Sequence, residues 1–314
     1  MRTTIPLTVL ATALACSLAS TPAHARARVF VASYGNDSNP CTFGSPCKTL
    51  QQAVNVVDAG GEVTAIDSAG FGPINISRSV TITSPDGVEA GIVPPFDGDA
   101  IAINAGSTDA VVLRGLTLEG AGVGRNGVNF ATGGSLTIMN CVMKDFLNDG
   151  IALFLQESGT ATFAVTNTTV TNNRFQGLSY SSFSNSPNVR IVVDHVVATG
   201  NGVGLEFSGI SGNGAADIAI TNSVASNNTI GIFISGGNAL TISIDNATVS
   251  GNTTTGIDAD PPASVLLNHS VIQGNGTGTL DATSNTFYTY GTNLIDLNGN
   301  NFGGAALNTS KKLQ

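Results

Sequence analysis

The feature that most constrains this chain is a period. Asn140, Asn167, His195, Asn222, Asn246 and His269 each close a short run of alternating apolar and polar residues, and they stand 27, 28, 27, 24 and 23 residues apart. A second column follows six residues later at Asn173, Asn201, Asn228, Asn252 and Asn275. After it comes Gly plus an aliphatic residue: Gly150-Ile151, Gly177-Leu178, Gly204-Leu205, Gly231-Ile232 and Gly256-Ile257. Alternation at period two means strands with one buried face. Three short strands and three turns fill a unit of this length, so each unit closes one coil of a stacked solenoid. Ile151, Leu178, Leu205, Ile232 and Ile257 are expected on one inner wall, and Ile138, Val165, Val193, Ile220, Ile244 and Leu267 on another.

The same pattern sets expectations for the corners. A bend leaves backbone groups unpaired, and stacked amides in the column Asn140, Asn167, His195, Asn222, Asn246 and His269 would bond them and one another. The glycine before each aliphatic residue would supply a positive φ at a tight corner.

Composition narrows the class. The 314 residues are 41% hydrophobic but 11% charged, with 38 Gly and no Trp. That excludes a coiled coil or charged helical bundle, which need many Glu, Lys and Arg at helical spacing, and it excludes a disordered chain. A net charge of −9 gives no electrostatic reason to bind nucleic acid or an anionic membrane.

Residues 1–25 read as a signal peptide: Arg2, an apolar stretch from Ile5 to Ala15, then Ala23-His24-Ala25 as an A-x-A site. Cleavage after Ala25 starts the chain at Arg26, with Ala25-Arg26-Ala27 as a second option, and a lipoprotein signal at Cys16 as the alternative to simple export. No segment reaches the roughly 20 apolar residues of a membrane span. The expected location is therefore secreted, periplasmic or extracellular. Cys41 and Cys47 bracket a short loop flanked by Pro40 and Pro46, which in an oxidising compartment reads as a disulfide; a metal site would need two further ligands. Cys141, beside Asn140 in the repeat, reads as a buried structural thiol.

The fold expected is all-β: a single-stranded, right-handed parallel β-helix with a short N-terminal capping helix. Residues 26–60 form the cap, with its disulfide loop and a helix from Cys47 to Val57. Residues 61–303 form the solenoid, closing with an aromatic coil from Phe287 to Phe302, and residues 304–314 form a loose tail.

With these residues in view, the chain resembles the right-handed parallel β-helix proteins of the pectate-lyase-like superfamily. It is most similar to secreted bacterial members whose cap reads Asp-x-Asn-Pro-Cys…Pro-Cys-Lys-Thr-Leu, here Asp37 to Leu50. The resemblance covers nearly all of residues 28–303 and implies the fold, but the superfamily holds lyases, hydrolases, epimerases, adhesins and inert scaffolds.

In enzymes of this superfamily the substrate groove runs along outward residues of one sheet. On the Gly-aliphatic strand these are Ala152, Ser179, Glu206, Phe233 and Asp258, with Arg125, Asp149, Arg174 and Asp260 in nearby turns. A lyase acting on uronates needs cations to offset the carboxylate, for which Arg125 and Arg174 serve, and a base for the C5 proton. Ca²⁺ would enter only under that alternative, at Asp258 and Asp260, which share a face without forming a cage. A hydrolase would pair Glu206 with Asp258, two coils apart at roughly 9 to 10 Å. Against these stand a solvated face that carries scattered charges in any case, the absence of a Trp platform, and a structural role for His195 and His269 in the Asn column. The leading expectation is thus a secreted, non-catalytic scaffold binding glycans or proteins at the cell surface, without cofactor. The alternative is a carbohydrate-active enzyme on acidic polysaccharide using Arg125, Asp149, Arg174, Glu206 and Asp258.

Overall fold

The register of the strands follows the period residue by residue. Ile151 pairs with Leu178, Leu178 with Leu205, Leu205 with Ile232 and Ile232 with Ile257. On the other wall Ile138, Val165, Val193, Ile220, Ile244 and Leu267 stack in the same way. All these side chains are buried. The computed structural model describes residues 27–155, 160–182, 188–209, 215–236, 240–281, 287–304 and 307–309, so the expected signal peptide lies outside the described residues.

The chain winds as a right-handed parallel β-solenoid whose strands make three sheets. One coil runs through the first sheet (Thr160–Thr166), a corner at Asn167, the second sheet (Thr169–Thr171), a corner at Asn173 and the third sheet (Gln176–Ser182). Among the described residues the first sheet has 11 strands and the others 10 each, all parallel. Each strand hydrogen-bonds to its counterpart one coil away, so every coil buries its inner face only because neighbours stack on it.

The two Asn columns do different jobs: the expected bond between stacked amides forms in the first column between Asn246 Nδ2 and Asn222 Oδ1, at 2.7 Å, but the continuous buried ladder lies in the second. Asn140, Asn167, His195, Asn222, Asn246 and His269 are exposed, with φ between 44° and 55°. Their role is the left-handed corner, which Asn and His tolerate better than branched residues. The buried ladder is the second column. The side-chain oxygen of Asn252 accepts from the backbone N–H of Asn228 at 3.0 Å and from its Nδ2 at 3.3 Å, while Asn252 Nδ2 donates to the Ala225 carbonyl at 3.1 Å. The same bonds recur at Asn201, Asn228 and Asn275. At the C-terminal end Asn298 closes on Asn301 of its own coil, 3.0 Å between Nδ2 and Oδ1.

The glycines are explained differently too. Gly150, Gly177, Gly204, Gly231 and Gly256 are not among the positive-φ residues. A Cβ on Gly231 would lie 2.5 Å from the Gly256 carbonyl oxygen and 2.7 Å from Asn252 Nδ2. Glycine is required there because the next coil and the ladder occupy the space.

At the N-terminus Arg28–Val31 already belongs to the first sheet, so the cap and the solenoid share a strand. The Cys41–Cys47 disulfide closes its loop. The helix runs over Leu50–Val56 rather than from Cys47, because the Asp37 carboxylate takes the backbone N–H groups of Lys48 and Thr49 and the Thr49 hydroxyl caps Gln52. In the early coils Val63, Ile74, Ile76, Val80 and Ile82 are buried and Ile66 is half-buried. The tail is not wholly loose: Asn308 pairs with Tyr288, and its N–H donates to the Phe287 carbonyl at 2.9 Å. Cys141 is buried, its sulfur accepting from the Leu116 N–H at 3.4 Å, in the inner corner row that Thr168, Ser223 and Ser270 occupy in other coils.

Candidate functional site

The outer face of the third sheet holds the residues singled out from the sequence. Ala152, Ser179, Glu206, Phe233 and Asp258 form one column in register. Beside it Asp99, Asn126, Asp149 and Gln176 are linked from coil to coil. Arg125 forks onto both oxygens of Asp99 at 3.1 and 2.9 Å, and Asn126 and Asn129 donate to the same carboxylate at 2.9 and 2.8 Å. Burial raises the Asp99 pKa, but these bonds outweigh it and leave the carboxyl below its ordinary value. Arg125 is therefore committed to Asp99, which sequence reasoning missed.

Asp149 is buried, 4% exposed, and accepts from the Ser179 hydroxyl at 2.6 Å and the Gln176 N–H at 3.2 Å. Burial pushes its carboxyl up to about 6 against the pull of those bonds, with the Glu206 charge adding to the rise. Glu206 accepts from Gln176 Nε2 at 2.7 Å and from the Ser208 hydroxyl at 2.9 Å. The structure thus joins Asp149 and Glu206 through Gln176. Glu206 and Asp258 stand two coils apart in the column, with Phe233 between them. Burial, then the neighbouring Asp260, raises Asp258 to about 6. Among the described residues no group of three or more His, Cys, Asp or Glu is placed to hold a metal ion. Arg174 is exposed in the turn before Gln176, its guanidinium 5.6 Å from the Phe175 ring centroid.

The first sheet presents a second arrangement that sequence reasoning did not find. A cavity of about 370 Å³ lies over it, lined by Thr160, Thr162, Asn188, Val189, Arg190, Ala215 and Asp217. Arg190 is exposed, makes no ion pair among the described residues, and sits in register with Thr162 and Asp217. Two residues along the same face, Val192 is 43% exposed between half-buried Ala164 and Ala219, a low apolar floor. Two residues further, Asp194 accepts from Thr221 Oγ1 at 2.7 Å and Asn222 Nδ2 at 2.8 Å, and lies 2.8 Å from Nδ1 of His195. The hydrogen bonds from Thr221, Asn222 and His195 hold its carboxyl down at about 2. A related pair, Asp245 and Nδ1 of His269, closes to 2.7 Å. The signal in the sequence was the strand Asn188–Asp194 itself, with Arg190, Val192 and Asp194 at period two and His195 following. Placing the His residues in a structural column hid it.

The His195–Asp194 arrangement can move a proton. A carboxylate held as the anion orients the ring through Nδ1 and leaves Nε2 for a ligand. Hydroxyl, amide, guanidinium and carboxylate groups along the cavity, beside a small apolar floor, match the mixed polarity of a sugar.

No protein-family model matches the chain, and no curated protein matches it in sequence. Solved structures do. Pectate lyase Pel9A superimposes with a TM-score of 0.62 at 17% identity, covering 85% of this chain and 72% of that one. A rhamnogalacturonan lyase superimposes with a TM-score of 0.59 at 13% identity, covering 90% of this chain and 89% of that one. At these identities the likeness establishes the shared pectate-lyase-like β-helix fold.

Proposed function

We propose that this protein is a carbohydrate-active enzyme acting on acidic polysaccharide at the outer face of the first sheet. This is the alternative reading of the sequence. The leading expectation of a non-catalytic scaffold rested on a regular repeat without a convergent polar site. One observation carries the proposal: Arg190, without an ion pair among the described residues, and the Asp194–His195 pair flank an exposed apolar floor on one strand, next to a cavity of about 370 Å³. The two similar structures are named as lyases of pectate and rhamnogalacturonan, which supports the substrate class.

The chemistry follows from the groups. Arg190 offers a planar fork to a sugar carboxylate and offsets its charge on an otherwise acidic protein. Val192 supports the apolar face of a ring, and Thr162, Asn188 and Asp217 meet hydroxyls. His195, oriented by Asp194 and five residues along the chain from Arg190, takes the proton next to the carboxylate of the adjoining sugar unit. The C–O bond to the leaving sugar then breaks as the new C=C bond forms, and the leaving oxygen takes a proton from water. This reading also carries secretion through residues 1–25, where such polymers are met.

The test is turnover of polygalacturonate, rhamnogalacturonan and a neutral glucan, with and without Ca²⁺, read by unsaturated-uronate absorbance and by reducing ends. Cleavage of the acidic polymers is expected, with Arg190→Ala and His195→Ala each lowering kcat/KM by roughly a hundredfold. Folded protein silent on every acidic polymer, or both variants at full activity, would overturn the proposal.

A further inference from the structure

The turn carrying Arg174 and Phe175 lies on a different side of the solenoid from the cavity, and the proton chemistry does not use it. Phe175 leaves 49% of its surface in water at a corner where the preceding coil has Asn148 and the following coils use Gly or Thr. A large ring held out in this way costs apolar exposure with no gain in core packing. Arg174 lies over it at 5.6 Å and has no ion pair among the described residues, whereas the other arginine of this face, Arg125, is forked onto Asp99. The backbone of the turn is fixed from both sides. Arg174 N–H donates to the Phe146 carbonyl at 2.9 Å, Phe175 N–H to the Asn148 carbonyl at 3.1 Å, and the Phe175 carbonyl accepts from Val203 at 2.8 Å. The ring and the guanidinium are thus presented on a rigid corner. The next residue, Gln176, begins a polar row through Glu206 and Ser208 to Ser235, with 3.2 Å between the two hydroxyls.

We propose that this corner is a second, non-catalytic sugar-binding site that takes a carboxylated sugar. Phe175 lies under the C–H face of the ring, Arg174 takes the carboxylate, and the row from Gln176 meets hydroxyls of the next unit. An aromatic face, a guanidinium without an ion pair among the described residues and a graded row of hydroxyl and amide groups supply apolar contact, charge and direction together. A neutral sugar would lose the Arg174 contact and a simple anion the Phe175 contact. The inference goes beyond catalysis at the first sheet and does not depend on it, since a site 16 residues before Arg190 in sequence and on another sheet holds polymer without cutting it.

The experiment is calorimetric titration of the full chain with trigalacturonate and with maltotriose, on wild type, Arg174→Ala, Phe175→Ala and Arg190→Ala, each shown folded by its melting transition. Trigalacturonate binding that survives in Arg190→Ala and weakens roughly ten- to a hundredfold in Arg174→Ala and Phe175→Ala is the expected result. Maltotriose should bind weakly and be indifferent to Arg174. Binding lost only in Arg190→Ala would overturn the second site and support the first, and equal binding of both sugars would overturn the carboxylate contact. Binding unchanged in Arg174→Ala and Phe175→Ala would overturn the second site. Turnover separates the two as well: Arg174→Ala leaves kcat on a short substrate intact, while Arg190→Ala does not.

Discussion

Nδ2 of Asn252 donates to Oδ1 of Asn275 at 2.8 Å, and the same oxygen accepts the backbone N–H of Asn252 at 3.0 Å. One amide thus satisfies a side chain and a main chain of the neighbouring coil at once, and the bond repeats along the solenoid. Replacing Asn252 by Leu leaves the Asn228 N–H and the Ala225 carbonyl without partners in a buried corner. The expected cost is about 1–3 kcal/mol for each orphaned group, read as a lower midpoint in denaturant. Asn222→Leu instead strains a left-handed corner, at about 1–2 kcal/mol, and also removes the bonds to Asp194 and Asn246, so Asn222→Gly should recover only the backbone part of that loss. Equal effects of Asn252→Leu and Asn252→Gly on the midpoint of wild-type protein, both near zero, would remove the ladder argument.

A methyl group at Gly231 meets the Gly256 carbonyl oxygen at 2.5 Å, but one at Gly70 meets nothing within 4 Å. Gly231→Ala is expected to destabilise by about 1–3 kcal/mol or more, since neither the backbone nor the ladder can give way. Gly70→Ala should shift the melting temperature little. If the two variants melt together, close packing is not why glycine stands in that column.

Stability should fall between about pH 4 and pH 7. The folded-state pKa of Asp149 is raised from 3.8 to about 6 by burial, so its protonated form is favoured in the fold. Its contribution is full below 3.8 and is lost as pH rises through about 6, on the order of 3 kcal/mol for a shift of this size. Asp258, also raised to about 6, acts in the same direction, with a smaller effect because it is half-exposed. Asp194 has the opposite sign, and its contribution is lost only as pH falls through about 2. Asp149→Asn should flatten the profile between pH 4 and 7, measured by melting temperature across that range. A wild-type profile that rises there would contradict the burial of Asp149.

The Cys141 thiol, pushed up to about 11 by burial, should not react with a thiol reagent at pH 8 in the folded protein. Labelling of one thiol should appear together with unfolding in denaturant. Rapid labelling under native conditions would show that the corner row opens.

By itself the sequence determined the solenoid, because a core made of stacked identical positions writes its period into the chain. The walls of Ile151 to Ile257 and Ile138 to Leu267, the Cys41–Cys47 loop and the buried Cys141 were all legible. The corners were not. An Asn can serve an exposed bend in the left-handed conformation, as Asn222 does, or a buried one by bonding the backbone of the next coil, as Asn252 does, and both look alike in one dimension. Burial separates them, and burial belongs to the packed coil. The candidate site divides in the same way. That Arg174, Glu206 and Asp258 share an outward face followed from period two. Tertiary structure decided that Asp99 claims Arg125, that Gln176 joins Asp149 to Glu206, and that residues of three coils line the cavity at Arg190. Those relationships join residues a whole coil or more apart, and the distance between coils is set by backbone pairing that no local stretch of sequence encodes.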